Sequence, residues 1–100
     1  MPITVQVEDE RGAPVGALWS HPLATRLLVG EHPGTCCLRF IGAHGDTVFN
    51  QAQLPVLLAE LRAFGAQVRQ SELAPVLREL VTFVLAAAGQ AQVFVRFVGD

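Results

Sequence analysis

Residues 53–89 read QLPVLLAELRAFGAQVRQSELAPVLRELVTFVLAAAG, and the reading of this stretch decides the fold. Leu54, Leu57, Leu58, Leu61, Phe64 and Val68 recur at three- and four-residue steps, the spacing that lines one side of an α-helix. Pro55 fits only the first turn, where its missing N–H is not needed, so the first helix should begin near Gln53 and run to about residue 69. Ser71 is a good N-cap and Glu72 suits the positive end of a helix dipole, which predicts a second helix over about 72–88. Leu80 to Ala88 carries no charge on any side, and a helix that is apolar all round is expected to be covered all round. Gly89 ends it.

Outward from the helical pair the pattern changes to β. Leu38-Arg39-Phe40-Ile41-Gly42 before the helices is echoed by Val95-Arg96-Phe97-Val98-Gly99 after them, each a run of β-formers with one arginine between apolar neighbours. Residues 35–41 and about 91–98 therefore read as strands, and Thr47-Val48-Phe49 as a short one that Asn50 ends. Gly42-Ala43-His44-Gly45-Asp46 suits a hairpin loop. Near the start, Ile3, Val5 and Val7 alternate with polar residues, Glu8 to Pro14 marks a turn, and Val15, Ala17 and Trp19 resume the alternation. This predicts a hairpin over residues 2–20 with Trp19 near the apolar face. Leu23 to Val29 fits a short strand or one or two helical turns; a strand at 25–29, ahead of the turn at Gly30 to Gly34, is preferred.

Strands, two helices and a closing strand define an α+β, two-layer domain spanning residues 1–100. A mainly antiparallel sheet of about five to six strands would carry the helices on one face. The last strand would pair antiparallel with 47–49, or parallel with 35–42 through a right-handed crossover.

Composition narrows the functional classes. Half the chain (51%) is apolar and only 16% is charged, with a mean hydropathy of +0.40. A small domain cannot hide such a surplus, which hints at an interface. The net charge is −2 and the seven basic residues, all arginine, are scattered, so a nucleic-acid partner is not expected. The absence of lysine and tyrosine among abundant Ala, Val, Leu, Gly and Arg matches the codon bias of a GC-rich bacterial genome. Met1-Pro2-Ile3-Thr4 has no signal-peptide character and Leu80 to Ala88 is too short to span a bilayer, so a cytoplasmic protein without a membrane role is expected.

The chemistry-bearing residues are few. His44 lies two residues from Asp46, a pairing that could serve a general base, although Gly45-Asp46 reads first as turn chemistry. His21, His32, His44, Cys36 and Cys37 lack metal-ligand spacing, so neither a metal nor a cofactor is expected. Adjacent strand residues face opposite sides, which sends Cys36, Leu38 and Phe40 to the core and Cys37, Arg39 and Ile41 to the other face. On the closing strand Val95 and Phe97 would face the helices, while Phe94, Arg96 and Val98 join Arg39 and Ile41 opposite. Aromatic, aliphatic and arginine side chains together are what interface centres favour, although arginine stems also simply cover aliphatic groups on an open surface. The expectation is a non-catalytic domain acting by association, as a homodimer or with a dedicated partner, through Arg39, Ile41, Phe94, Arg96 and Val98. The alternative is a small ligand-binding domain or enzyme built on His44 and Asp46.

The run Leu38-Arg39-Phe40-Ile41, then Gly45-Asp46-Thr47-Val48-Phe49-Asn50-Gln51, Leu54-Pro55 and Glu60-Leu61, closing on Val95 to Asp100, resembles a group of small uncharacterised bacterial proteins. The resemblance covers about the last two-thirds of the chain. It implies that the hairpin-to-helix junction is a structural unit and assigns no catalytic residue.

Overall fold

The computed structural model describes residues 3–16 and 18–99. Their order is β1 (Thr4–Glu8), β2 (Trp19–Ser20), α1 (Ala24–Leu28), a 3-10 turn (Leu38–Phe40), β3 (Asp46–Phe49), α2 (Leu54–Val68), α3 (Leu73–Ala88) and β4 (Phe94–Val98). The described residues form an α+β fold, with three α-helices and one open, antiparallel sheet of four strands in the order β2-β1-β4-β3. The expected five to six strands reduce to four because two segments read as β are not.

The closing strand takes a central place. Val5 pairs with Phe97 and Val7 with Val95, while Thr47 pairs with Phe97 and Phe49 with Val95. Of the two pairings open to β4, the antiparallel one with residues 46–49 is the one formed, and β1 flanks it on the other side. Period-two alternation then divides the sheet. Val5, Val7, Phe49, Val95 and Phe97 join one buried cluster with Leu54, Leu57, Leu61, Val76, Leu80 and Val84 of α2 and α3. Phe49 and Phe97 meet edge to face, with ring centroids 5.6 Å apart.

The two long helices form where their stripes predict. Pro55 lies in the first turn of α2, and Asn50 and Gln53 bond reciprocally, each side-chain oxygen accepting the other's backbone N–H at 3.0 and 2.8 Å. This is the geometry of a capping box, with Asn and Gln in the usual Ser/Thr and Glu/Gln places. The N-cap of α3 falls on Glu72 and not on the expected Ser71; the Ser71 hydroxyl, one residue earlier, accepts the Leu73 N–H at 3.0 Å. The second half of α3 departs from expectation. Leu80, Val84 and Ala87 are buried, but Thr82, Leu85 and Ala86 face outward, Leu85 with 49% of its surface exposed. The described residues do not cover that side.

The first hairpin is shorter than expected. Thr4 pairs with Ser20 and Val5 with Trp19, Glu8 bridges to Pro14, and Trp19 is buried as predicted; Ala17 lies outside the described residues. Asp9 Oδ1 accepts the N–H groups of Arg11 and Ala13, and Gly12, at φ +82°, supplies the left-handed residue of the turn.

The preferred strand at 25–29 is instead α1. His21 Nδ1 accepts the Leu23 N–H and the His21 carbonyl accepts that of Ala24, which starts a helical turn after Pro22. Helical spacing then buries Ala24, Leu27 and Leu28 together, which strand alternation cannot do.

Candidate functional site

β1, β4 and β3 turn their remaining side chains to the face opposite the buried cluster. The register sets Thr4, Val98 and Asp46 in one row, Gln6, Arg96 and Val48 in the next, and Glu8 beside Phe94 in a third. Arg96 occupies the middle. Its Nε donates to Glu8 Oε2 at 2.8 Å and its Nη1 to Asp46 Oδ2 at 3.2 Å, while the Gln6 amide also donates to Glu8 Oε2. Glu8 is nearly buried, at 4% exposed, and Asp46 is open to solvent. The hydrogen bond that Arg96 donates to Glu8, then the charge of Glu8 and the bond to and charge of Asp46, hold the guanidinium above its ordinary range despite partial desolvation. Both signs are thus paired within the face. Half-buried Phe94 and Val98 and exposed Val48 surround the pair.

Three of the five expected contact residues, Phe94, Arg96 and Val98, share this face. Arg39 and Ile41 do not. Residues 38–40 form a 3-10 turn, and Ile41 is buried while Phe40 is 63% exposed, the reverse of the strand reading. Arg39 is exposed and its guanidinium lies 5.4 Å from the Phe40 ring centroid. The cysteines are reversed as well: Cys36 is exposed and Cys37 buried.

The physical cause is Glu60. Its carboxylate, on α2, accepts the N–H groups of Cys36 at 2.6 Å, Cys37 at 3.0 Å and Leu38 at 3.1 Å. Thr35 Oγ1 accepts the N–H of Arg39 at 3.1 Å. Four successive donors are therefore taken by side chains, and none remains for a sheet ladder. Burial tends to raise the Glu60 pKa, but the three N–H bonds and the nearby His32 outweigh it and leave the carboxyl below its ordinary 4.5.

The thiol pair supplies a direct check on this geometry. Burial first, then the negative charge of Glu60 and the proximity of Cys36, push the Cys37 thiol above its ordinary 9.0. In the folded protein at neutral pH, a thiol reagent such as Ellman's should label one cysteine promptly. The other should react at least about a hundredfold more slowly, becoming fast only in denaturant. Peptide mapping should place the prompt label on Cys36; equal reactivity would contradict the turn described above.

His44 is exposed in the loop before β3, and Asp46 opens that strand with its carboxylate bound by Arg96. Among the described residues no group of three or more His, Cys, Asp or Glu side chains gathers to hold a metal ion. No helix among them is long and apolar enough to cross a membrane.

Glu8 and Glu60, the two carboxylates that organise the molecule, were not singled out by the sequence reading. Glu8 sits in an acidic run that reads as turn, and its partner Arg96 is 88 residues away. Glu60 sits on the polar side of α2, where a carboxylate is ordinary. A usable signal existed only for Asn50 and Gln53, whose spacing is that of a capping box.

The described residues thus define an α+β fold with a four-stranded antiparallel sheet and an open, apolar-flanked face on which one arginine pairs with two carboxylates. Searched against family models, curated proteins and solved structures, the chain has no match.

Proposed function

We propose that the protein acts without catalysis, by associating with another protein through the open face of its sheet, with a second copy of itself as the first candidate. In this frame the helices and sheet are two layers, and the second face of the sheet is left for a partner. The observation that carries the reading is Arg96, paired with Glu8 and Asp46 and ringed by Phe94, Val98 and Val48. One guanidinium against two carboxylates leaves this face only a single excess negative charge, which salt screens, so a symmetry-related copy meets little repulsion, and a two-fold dimer uses the same patch twice. Apolar groups around an arginine are also the make-up of interface centres. The exposed Leu85 on α3 adds apolar surface that favours association. In the same reading the chain is a bacterial, cytoplasmic protein of the group that Gly45 to Gln51 resembles.

Light scattering coupled to size exclusion, run over a concentration series, tests this. The wild type is expected to dimerise in the micromolar range. Val48→Asp, at a position 41% exposed, should leave the fold intact by circular dichroism and weaken the dimer by at least about tenfold. A strict monomer, or a dimer indifferent to Val48→Asp, would remove the homodimer reading.

A further inference from the structure

A second feature, away from the sheet face, lies at one end of the helical pair. A half-open cleft of about 210 Å³ is lined by Gly65, Val68 and Arg69 of α2 and its end and by Ala74, Leu77 and Arg78 of α3. Its apolar lining comes from Val68 and Leu77, both buried, and from Ala74. Gly65 keeps its part of the wall low: a methyl there would rest on Leu77 Cδ2 at 3.6 Å, within the space the cleft occupies. Arg69 and Arg78 are exposed.

Arg69 and Arg78 share with Arg11 and Arg62 the lack of a side-chain partner among the described residues, but only these two line the cleft. Arg26 is paired with Glu72, Arg96 with Glu8 and Asp46, and Arg39 lies against Phe40. Arg69 and Arg78 have no side-chain hydrogen bond or ion pair among the described residues, and no carboxylate lines the cleft. The last turn of α2 and the first turn of α3 meet beside it with opposite end charges, which offset each other, so the arginines set its sign. In a chain of net charge −2, this is a local positive site beside an apolar surface.

We propose that this cleft binds a small organic anion, a carboxylate carried on an apolar body about the size of a benzene ring. The volume suffices, since an apolar protein cavity of about 150 Å³ accepts benzene. The chemistry suits a carboxylate in particular, because the planar guanidinium fork matches its two oxygens. The apolar body would rest on Val68, Ala74 and Leu77, and the carboxylate would face Arg69 and Arg78. The carboxylate then meets guanidiniums without a side-chain partner among the described residues, and the apolar body meets the outer edge of core residues and Ala74.

The test is an NMR titration of the full chain with benzoate, with benzyl alcohol and inorganic phosphate as the probes that lack the charge or the apolar body. Benzoate is expected to shift the amide signals of residues 65–69, 74 and 76–78 saturably at millimolar concentration or below. Benzyl alcohol and phosphate should each bind at least about tenfold more weakly. Arg69→Gln with Arg78→Gln should weaken benzoate by about tenfold or more, whereas Arg11→Gln, on the exposed β1–β2 turn, should not. The replaced side chains are exposed, so both variants should keep the wild-type circular dichroism. Absence of saturable shifts, equal binding of benzyl alcohol, or unchanged affinity in the double variant would each overturn the proposal. None of these outcomes depends on the sheet face or on dimerisation.

Discussion

Replacing Glu60 by alanine is expected to destabilise the protein by about 3 kcal/mol, because one side chain satisfies three consecutive backbone donors. Hydrogen bonds to a charged group contribute about 1.5–3 kcal/mol each, but three that share one carboxylate are not additive. Those of Cys37 and Leu38 are partly shielded from solvent, so their N–H groups would lose the carboxylate without full access to water in exchange. Glu60→Gln should recover part of the loss, as it keeps one acceptor oxygen and the volume. Comparing the two variants by urea unfolding separates the charge from the packing.

The same residue sets a pH dependence of definite sign. Its folded pKa lies below the ordinary 4.5, so folding is favoured by its ionised form. That stability is fully present above the unfolded value and is lost as pH falls through the folded one. The difference between wild type and Glu60→Gln should therefore hold steady from neutral pH to about 5 and shrink as pH falls below 4.5. A gap that grew with acid would contradict the carboxylate's place in the turn. Loosening of the turn should also expose Cys37, so its labelling rate reports the same event independently.

Gly99→Ala is expected to cost about 3 kcal/mol, at the upper end for overpacking, because the added carbon would meet backbone and not a yielding side chain. It would lie 2.5 Å from the Gly45 carbonyl oxygen, 2.6 Å from the Gly45 nitrogen and 2.9 Å from the Ala43 carbonyl carbon. The Gly99 N–H also donates to that Gly45 oxygen at 2.9 Å, so the clash falls on the bond that ties the end of β4 to the loop before β3. Gly42→Ala, at the matching place in the echoed motif, meets nothing within 4 Å and should stay within about 0.5 kcal/mol of wild type. Thermal melts of the two variants make the comparison, and equal midpoints would contradict the close approach.

That contrast shows how far the repeated motif could be read. Val95-Arg96-Phe97-Val98-Gly99 is a strand through its first four residues, Val95 and Phe97 inward and Arg96 and Val98 outward, as alternation predicts. Leu38-Arg39-Phe40-Ile41-Gly42 has the same pattern and a different structure. Nothing within its five residues separates the two. The difference comes from Glu60, twenty-two positions past Leu38, which reaches back from a helix to take its N–H. Local propensity is a weak prior, and tertiary hydrogen bonds override it.

Other elements divide along the same line. α2 and α3 were legible because six or more apolar residues at helical spacing, with prolines in the first turns, admit few alternatives. α1 was not, since seven residues after Pro22 fit either period. Of the candidate site, Phe94, Arg96 and Val98 were legible from alternation alone. Glu8, Asp46 and Val48 were brought to them only by strand pairing.

The sequence by itself therefore determined the α+β class, the two long helices, the inward face of β4 and the presence of an outward arginine on it. These rest on periodicity, which is a property of neighbouring residues. Tertiary structure alone decided that β4 lies centrally, that Arg96 is neutralised by Glu8 and Asp46, and that residues 38–40 turn instead of extending. Those outcomes depend on where backbone donors and buried charges find partners, and the partners lie from about twenty to nearly ninety residues away.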